Sequence, residues 1–498
     1  MAVPKVCGIE TEYGVSRRGG GEDNPVVASS LLINSYVDDK KVGWDFEDET
    51  PARDARGFTR DASNPPDVET HLVNAVLTNG ARYYVDHAHP EYSTPECTDA
   101  MSVLRADKAG ERIIAASMEL AGVTLGSEGE IVAYKNNSDG KGNSYGCHEN
   151  YLMDRNCAFG DIVKTLLPWF VTRQIFTGAG KVGAEHDRDS VDFQISARSD
   201  FFEEEVGLET TIRRPIVNTR DEPHAMSSQY RRLHVIVGDA NLCELSTFLK
   251  VGTTAIVLAM IEDNALENDL SIYEPVRALR SVSRDLTCTS PLELRSGGSA
   301  TPIEIQWQFL ASAKKYAERT GLEHCGGADV GAEVLRRWEE VLTDLEGDPL
   351  SLDGRLDWVT KFCLLEQFKD RDGLSWSDPK LALIDLQYHD VRPKRSLYER
   401  LVQAGKVERL LSEEEVERAI SRPPDDTRAY FRGECLRRWP KSIIAANWDS
   451  IVFDVGSVSL QRVPMMDPLK GTRNHVEALL NTCDTPLDLI ERLGSPLA

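Results

Sequence analysis

Alternation of apolar and polar positions marks the strands of this chain. Along residues 6–15 (VCGIETEYGV), Gly8, Glu10 and Glu12 share one face and Ile9, Thr11 and Tyr13 the other, the period of a half-buried strand. Residues 79–99 (NGARYYVDHAHPEYSTPECTD) hold a second such segment, in which Arg82, Tyr84 and Asp86 point one way and Tyr83 and Val85 the other. The His89-Pro90 step should break the ladder, since proline lacks an N–H and restricts its predecessor. Glu91, Thr94 and Glu96 would then sit on the loop at the strand's end. Further strands are expected over 131–135, over 147–153 (His148 and Asn150 on one face, Glu149 and Tyr151 on the other) and over 230–239, with Arg232, His234 and Ile236 on one side.

Helical spacing appears at 24–37, 100–121, 166–175 and 244–261. It dominates from 302 to 426, with helices expected over 303–318, 330–345, 358–369 and 413–421. A last helix is expected over 475–493, after a strand pair around 448–453 and 460–464. Between 38 and 70 the composition shifts to ten acidic and five basic residues, with Asn-Pro-Pro at 64–66. Loops this long inside a compact domain tend to be functional, although a tolerated surface insertion reads the same way. Arg422-Pro423-Pro424-Asp425-Asp426 is the best linker signal. It divides a large domain, 1–424, from a small C-terminal one, 425–498.

Composition narrows the function. The 498 residues, 41% hydrophobic and 28% charged, are those of a globular protein with a large core. No apolar run approaches the roughly 20 residues that cross a bilayer, and the N-terminus carries a glutamate pair where a signal peptide needs an apolar core. A cytoplasmic protein with no membrane partner is expected. Ten cysteines without a CxxC pair argue for free thiols, not a disulfide framework or a zinc site. A formal charge of −24 disfavours nucleic acid as a partner.

The candidate chemistry lies in the acidic rows. Carboxylates two residues apart on a strand, as in Glu10 and Glu12, stand roughly 7 Å apart. Facing solvent they are unremarkable; facing a pocket they demand cations, and magnesium is the usual one beside phosphates. The row of Arg82, Tyr84 and Asp86 likewise suits either a solvated face or a cleft floor. There is no GxxxxGK[ST] or HExxH, which argues against a P-loop and a zincin. Phosphate chemistry here would run on metals and arginines presented by a sheet.

GIETEYG at 8–14, the 79–99 stretch, KNNSDGKGNSYGCHENY at 135–151, NTRDEPHA at 218–225, YRRLHVIVGDAN at 230–241 and TRAYFRGECLRR at 427–438 together resemble the Pup ligase/depupylase family. That family lies within the glutamine synthetase-like carboxylate–amine ligases. The resemblance implies an α+β fold in which a curved, mainly antiparallel sheet forms an active-site cradle packed on helices, with a small C-terminal domain. The acidic insertion at about 38–77, including WDFEDETPARDARGF at 44–58, resembles a loop carried by the depupylase branch; VDHAHPEY at 85–92 and LSWSDPKLALIDLQYHDVR at 374–392 also fit that branch.

Position by position, the resemblance makes Asp86 the catalytic carboxylate, as nucleophile or base. Glu10, Tyr84 and Glu91 match magnesium-binding positions, with Glu12 a further ligand, and Arg82, Thr94 and Trp448 match nucleotide-contacting positions. His148, His234 and Arg220 are further candidates. The implied cofactors are ATP (or ADP and phosphate) and Mg2+; the implied partners are Pup and pupylated proteins, met by a monomer. The implied reactions are cleavage of the isopeptide bond between Pup's C-terminal Glu and a lysine, and deamidation of a C-terminal Gln. The alternative is the ligase reaction, which forms that bond with ATP hydrolysis. Because Pup is acidic, a local basic groove is required, for which Arg213-Arg214 and Arg231-Arg232 are the candidates.

Overall fold

The computed structural model describes residues 1–19, 24–37, 42–47, 49–50, 53–57, 73–185, 188–457 and 459–494. Its centre is a ten-stranded sheet. In chain order the strands are β1 (Cys7–Glu12), β2 (Val42–Trp44), β3 (Asn74–Val76), β4 (Arg82–Asp86), β5 (His89–Ser93), β6 (Cys147–Asp154), β7 (Tyr230–Val235), β8 (Ile443–Ala446), β9 (Ser450–Phe453) and β10 (Gln461–Pro464). Across the sheet they run β7-β6-β1-β5-β4-β3-β2-β8-β9-β10. Every neighbouring pair is antiparallel except β2 and β8, where Gly43 and Trp44 pair in parallel with Ala445 and Ala446. The C-terminal strands therefore extend the sheet that the N-terminal strands begin.

The alternation read from the sequence sets the two faces. In β1 the residues Cys7, Ile9 and Thr11 are buried while Gly8, Glu10 and Glu12 are not fully so, and β4 buries Tyr83 and Val85. Two helical layers take up the apolar face. Beneath β1, β6 and β7 lie helices α3 (Phe159–Thr177) and α4 (Glu244–Glu262), with Trp169, Phe248 and Trp338 in one large core. Beneath β4 and β5, helices α1 (Pro25–Val37) and α2 (Ala100–Leu125) pack Leu32, Ile113 and Ile114 against Tyr83, Val85 and Tyr92. The helix over 244–262 has the length and apolarity to cross a membrane, yet it is wholly buried inside the protein. A third cluster joins Phe431, Cys435 and Phe453 of the C-terminal region to Val42, Trp44 and Val76.

Some expectations are corrected. His89-Pro90 does not end a strand: Pro90 lies inside β5 opposite Val85. Val85 N–H donates outward to Val73 O at 3.0 Å, so this is a non-hydrogen-bonded pair and the missing proline N–H is not called on. The chain turns instead at His87-Ala88, between the paired Asp86 and His89, with His87 at φ +51°, as a two-residue hairpin requires. The 6–15 strand divides, because Gly14–Arg18 leaves the large sheet to pair with Glu130–Tyr134. The expected last helix is two, Arg473–Asn481 and Pro486–Gly494, since Pro486 can only start a helix. Three helices have no counterpart in the sequence pattern, Pro275–Arg284, Pro379–Tyr388 and Leu397–Gln403. The acidic insertion lies partly outside the described residues; within them it supplies β2, which no loop reading anticipates.

Candidate active site

Cross-strand register brings the predicted acids together. Glu12 of β1 is opposite Glu91 of β5, and Glu91 is opposite Tyr84 of β4; Asp86 lies two residues on, on the face of Tyr84. The carboxylate oxygens of Glu12, Asp86 and Glu91 all come within 4.8 Å of one another. Glu12 accepts the Gly146 N–H at 2.8 Å, and Glu91 accepts the Tyr84 hydroxyl at 2.6 Å. Three acids this close cannot all ionise without cations. Burial, then the Asp86 charge, pushes Glu12 up to about 7. Burial and the neighbouring carboxylates raise Glu91 well above its ordinary value. Burial opposes the Asp86 charge too, but hydrogen bonding and the positive field of His87, with the proton of Glu91, hold Asp86 at about 2. Asp86 is thus the member of the trio that stays a base.

A second group lies next along β1. Glu10 pairs in register with His148, and Glu10, His148 and His234 present ligand atoms within 4.8 Å. Asn150 Nδ2 donates to Glu10 at 2.8 Å and its Oδ1 accepts from Arg232 at 2.6 Å. Asn150 Oδ1 also lies 3.0 Å from His234 Nδ1, leaving the buried His234 Nε2 without a partner. Burial, then the Arg198 charge, lowers His148 to about 3; burial, then Arg232, lowers His234 well below its ordinary value. Two neutral imidazoles, one with an orphaned nitrogen, beside a carboxylate fit a divalent cation. The all-oxygen pair Glu12 and Glu91 fits a hard one such as magnesium.

Beyond Glu10 a cavity opens, lined by Gly8, Ile9, Thr94, Leu152, His224 and Trp448 among others, with Arg232 and Arg428 at its wall. Thr94 Oγ1 accepts the Ile9 N–H at 2.9 Å. Trp448, in the β8–β9 turn, stands edge-on to Trp44 with centroids 5.3 Å apart. Arg82 is sandwiched between the rings of Trp44 (3.9 Å) and Tyr84 (3.7 Å) and donates to Asn74 at 3.0 Å. Its guanidinium is held flat at the rim. Glu96 closes the floor, paired with Arg428 at 2.7 Å and with Arg432.

The structure therefore gathers Glu10, Glu12, Tyr84, Asp86, Glu91, Thr94 and Trp448 on one concave face, with Arg82 at its edge. Tyr84 enters as the donor that orients Glu91. Arg232 joins the site, while Arg231 is turned away: it is buried, donating to Cys157 O at 3.1 Å and lying 3.9 Å from Asp221. Adjacent residues of a strand face opposite ways, so the 231–232 pair cannot serve one groove. Arg213 is exposed, and Arg214 donates to Ser144 O at 2.9 Å near the mouth. The sequence reading missed Arg198, which is buried, donates to Ile236 O at 2.5 Å, and turns its field on Glu12 and His148. It sits in an irregular segment with no periodicity to flag it. Glu222 was passed over as loop polarity; it lies 3.7 Å from Arg232 and 3.8 Å from His224.

A curled sheet that sets an acid cradle beside an apolar, arginine-walled cavity offers places for cations and oxyanions. The chain belongs to the Pup-ligase protein family, which it matches over residues 5–452. It is 52% identical to a depupylase of Acidothermus cellulolyticus over 98% of this chain and 99% of that one. It is 46% identical to the Pup deamidase/depupylase of Mycobacterium tuberculosis over the same shares, and 40% identical to a Pup–protein ligase of Kineococcus radiotolerans over 96% and 99%. Among solved structures, the complex of Pup with its ligase PafA matches with TM-score 0.81 and 33% identity, covering 96% of this chain and 91% of that one. PafA in complex with ADP matches with TM-score 0.75 and 35% identity, covering 88% and 98%.

Proposed function

We propose that this protein is a depupylase: a hydrolase that cleaves the isopeptide bond between the C-terminal Glu of Pup and substrate lysines, and deamidates a C-terminal Gln of Pup to Glu. The observation that carries this is end-to-end likeness, at 52% and 46% identity, to relatives named for that activity, against 40% for a ligase. The ionised, half-open Asp86 on the concave face supports it chemically. We place the protein in the cytoplasm on the strength of ten free cysteines.

An amide carbon needs a poised nucleophile and stabilisation of the growing oxyanion. Asp86 supplies an oxygen directly, or takes a proton from the water that does. ATP, or ADP and phosphate, fits the cavity of Thr94, Leu152 and Trp448, and Mg2+ fits Glu10, Glu12 and Glu91. A cation bound there would polarise the scissile carbonyl. Arg198 and Arg232 hold positive field on the same side, and Gly146 and Tyr84 fix the directions of Glu12 and Glu91.

The test is Asp86→Asn on a pupylated substrate with ATP. Turnover should fall by at least about 10²-fold while nucleotide affinity is kept; near wild-type release of Pup would refute Asp86's role. Wild type that conjugates Pup with stoichiometric ADP production, and releases none, would make it a ligase.

A further inference from the structure

When an amide is cleaved, the nitrogen leaves as an amine of high basicity and must take up a proton as its bond to carbon breaks. Among the described residues around Asp86, most groups are unsuited to supply it. Asp86 itself is ionised, and Glu12 and Glu91, the carboxylates that fit Mg2+, would give up their protons on binding it. His148, half-buried, and His234, buried, are both held neutral. His89 lies under the ring of Tyr145, centroids 4.5 Å apart, and burial lowers it to about 4. The Tyr84 hydroxyl is given to Glu91, and arginines do not release protons at neutral pH.

We propose that His87 is the proton donor to the departing amine. This rests on the depupylase reading above. His87 occupies the tip of the β4–β5 hairpin, one residue beyond Asp86, with Nδ1 3.1 Å from Asp86 Oδ1. Its side chain is 60% exposed against 31% for Asp86, so the ring lies on the solvent side of the carboxylate, open to a protein-borne lysine. The left-handed φ of +51° swings the ring back over the carboxylate; few residues with a Cβ adopt it. The turn is tied to α1 by Ser29 Oγ, which donates to Ala88 O at 2.8 Å. A carboxylate on Nδ1 holds one proton there and leaves Nε2 to carry the second.

The step balances as follows. The carbonyl carbon gains an oxygen, from Asp86 or from water, and loses its bond to nitrogen; the electron pair of that bond takes the Nε2 proton, and lysine leaves as a neutral amine. His87 is left neutral with Nδ1–H on Asp86. It regains its proton from the water consumed in hydrolysis, so that amide plus water gives acid plus amine.

His87→Asn is the informative variant, because asparagine tolerates the left-handed backbone. Single-turnover release of the leaving group is measured on two substrates: a Pup–lysine isopeptide, and Pup carrying a γ-linked p-nitrophenyl ester, whose phenolate leaves without protonation. The variant should lose at least about 10²-fold on the isopeptide and at least about tenfold less on the ester, where any loss reports only His87's hold on Asp86. Equal losses on both would make His87 merely a support for Asp86, and no loss on the isopeptide would remove it from the reaction; either overturns the assignment. Wild type inactive on both substrates would instead overturn the depupylase reading.

Discussion

Replacing Arg432 with methionine removes the side chain that joins the C-terminal helix Ala429–Arg438 to the cradle. Arg432 is fully buried; it donates to Gly80 O at 2.8 Å, to Trp448 O at 3.0 Å, and to Glu96. Burial alone would raise Glu96, but Arg432 first and Arg428 second hold it at about 2 against an ordinary 4.5. That corresponds to about 3 kcal/mol of stabilisation at neutral pH. Losing one partner of a buried pair typically costs ~3–5 kcal/mol, because the remaining charge is stranded, so the two routes agree on the scale. The native pKa lies below the unfolded one. The contribution is therefore complete above about pH 5, and fades as pH falls through 4.5 toward 2, by about 2 kcal/mol between pH 7 and pH 3. Urea denaturation followed by tryptophan fluorescence at several pH values reads both effects. Wild type should lose this component in acid, and Arg432→Met should start lower and lose less. A variant within about 1 kcal/mol of wild type at pH 7, or one with an unchanged acid limb, would refute the reasoning.

Three further outcomes are expected. Gly146→Ala places a Cβ 2.2 Å from His148 Nε2, where the ring is caged beside His234; the ring must move by about 1 Å, costing on the order of 10²-fold in turnover with the fold kept, and unchanged kinetics would show the cage to be loose. Because Glu12 sits at about 7 and Glu91 is raised as well, Mg2+ added at pH 7 should release protons, and its affinity should fall by at least about tenfold per pH unit below 7; titration in weak buffer checks this, and zero release would count against Glu12 and Glu91 as ligands. Trp448→Ala should weaken nucleotide binding by about 1–3 kcal/mol in calorimetry without shifting the pH profile of cleavage, while unaltered affinity would remove Trp448 from the nucleotide site.

The sequence by itself determined which side chains share a face. A strand's period is two, so Glu10 with Glu12, Arg82 with Tyr84 and Asp86, and His148 with Asn150 were fixed as rows before any partner was known. It also determined the α+β class and the long core helix at 244–262, whose apolarity needs no context. Only the tertiary structure decided which rows meet. Register pairs Glu12 with Glu91 and Glu10 with His148, and pairing is a property of two segments far apart in the chain. The parallel joint of β2 to β8 carries Trp448 to the rim beside Trp44, and no local pattern encodes it. The ionisation of the acids belongs to the same level: alone each is an ordinary carboxylate, and only their crowding beside His87, in a hairpin whose second strand runs through the proline expected to break it, leaves Asp86 charged while Glu91 keeps its proton.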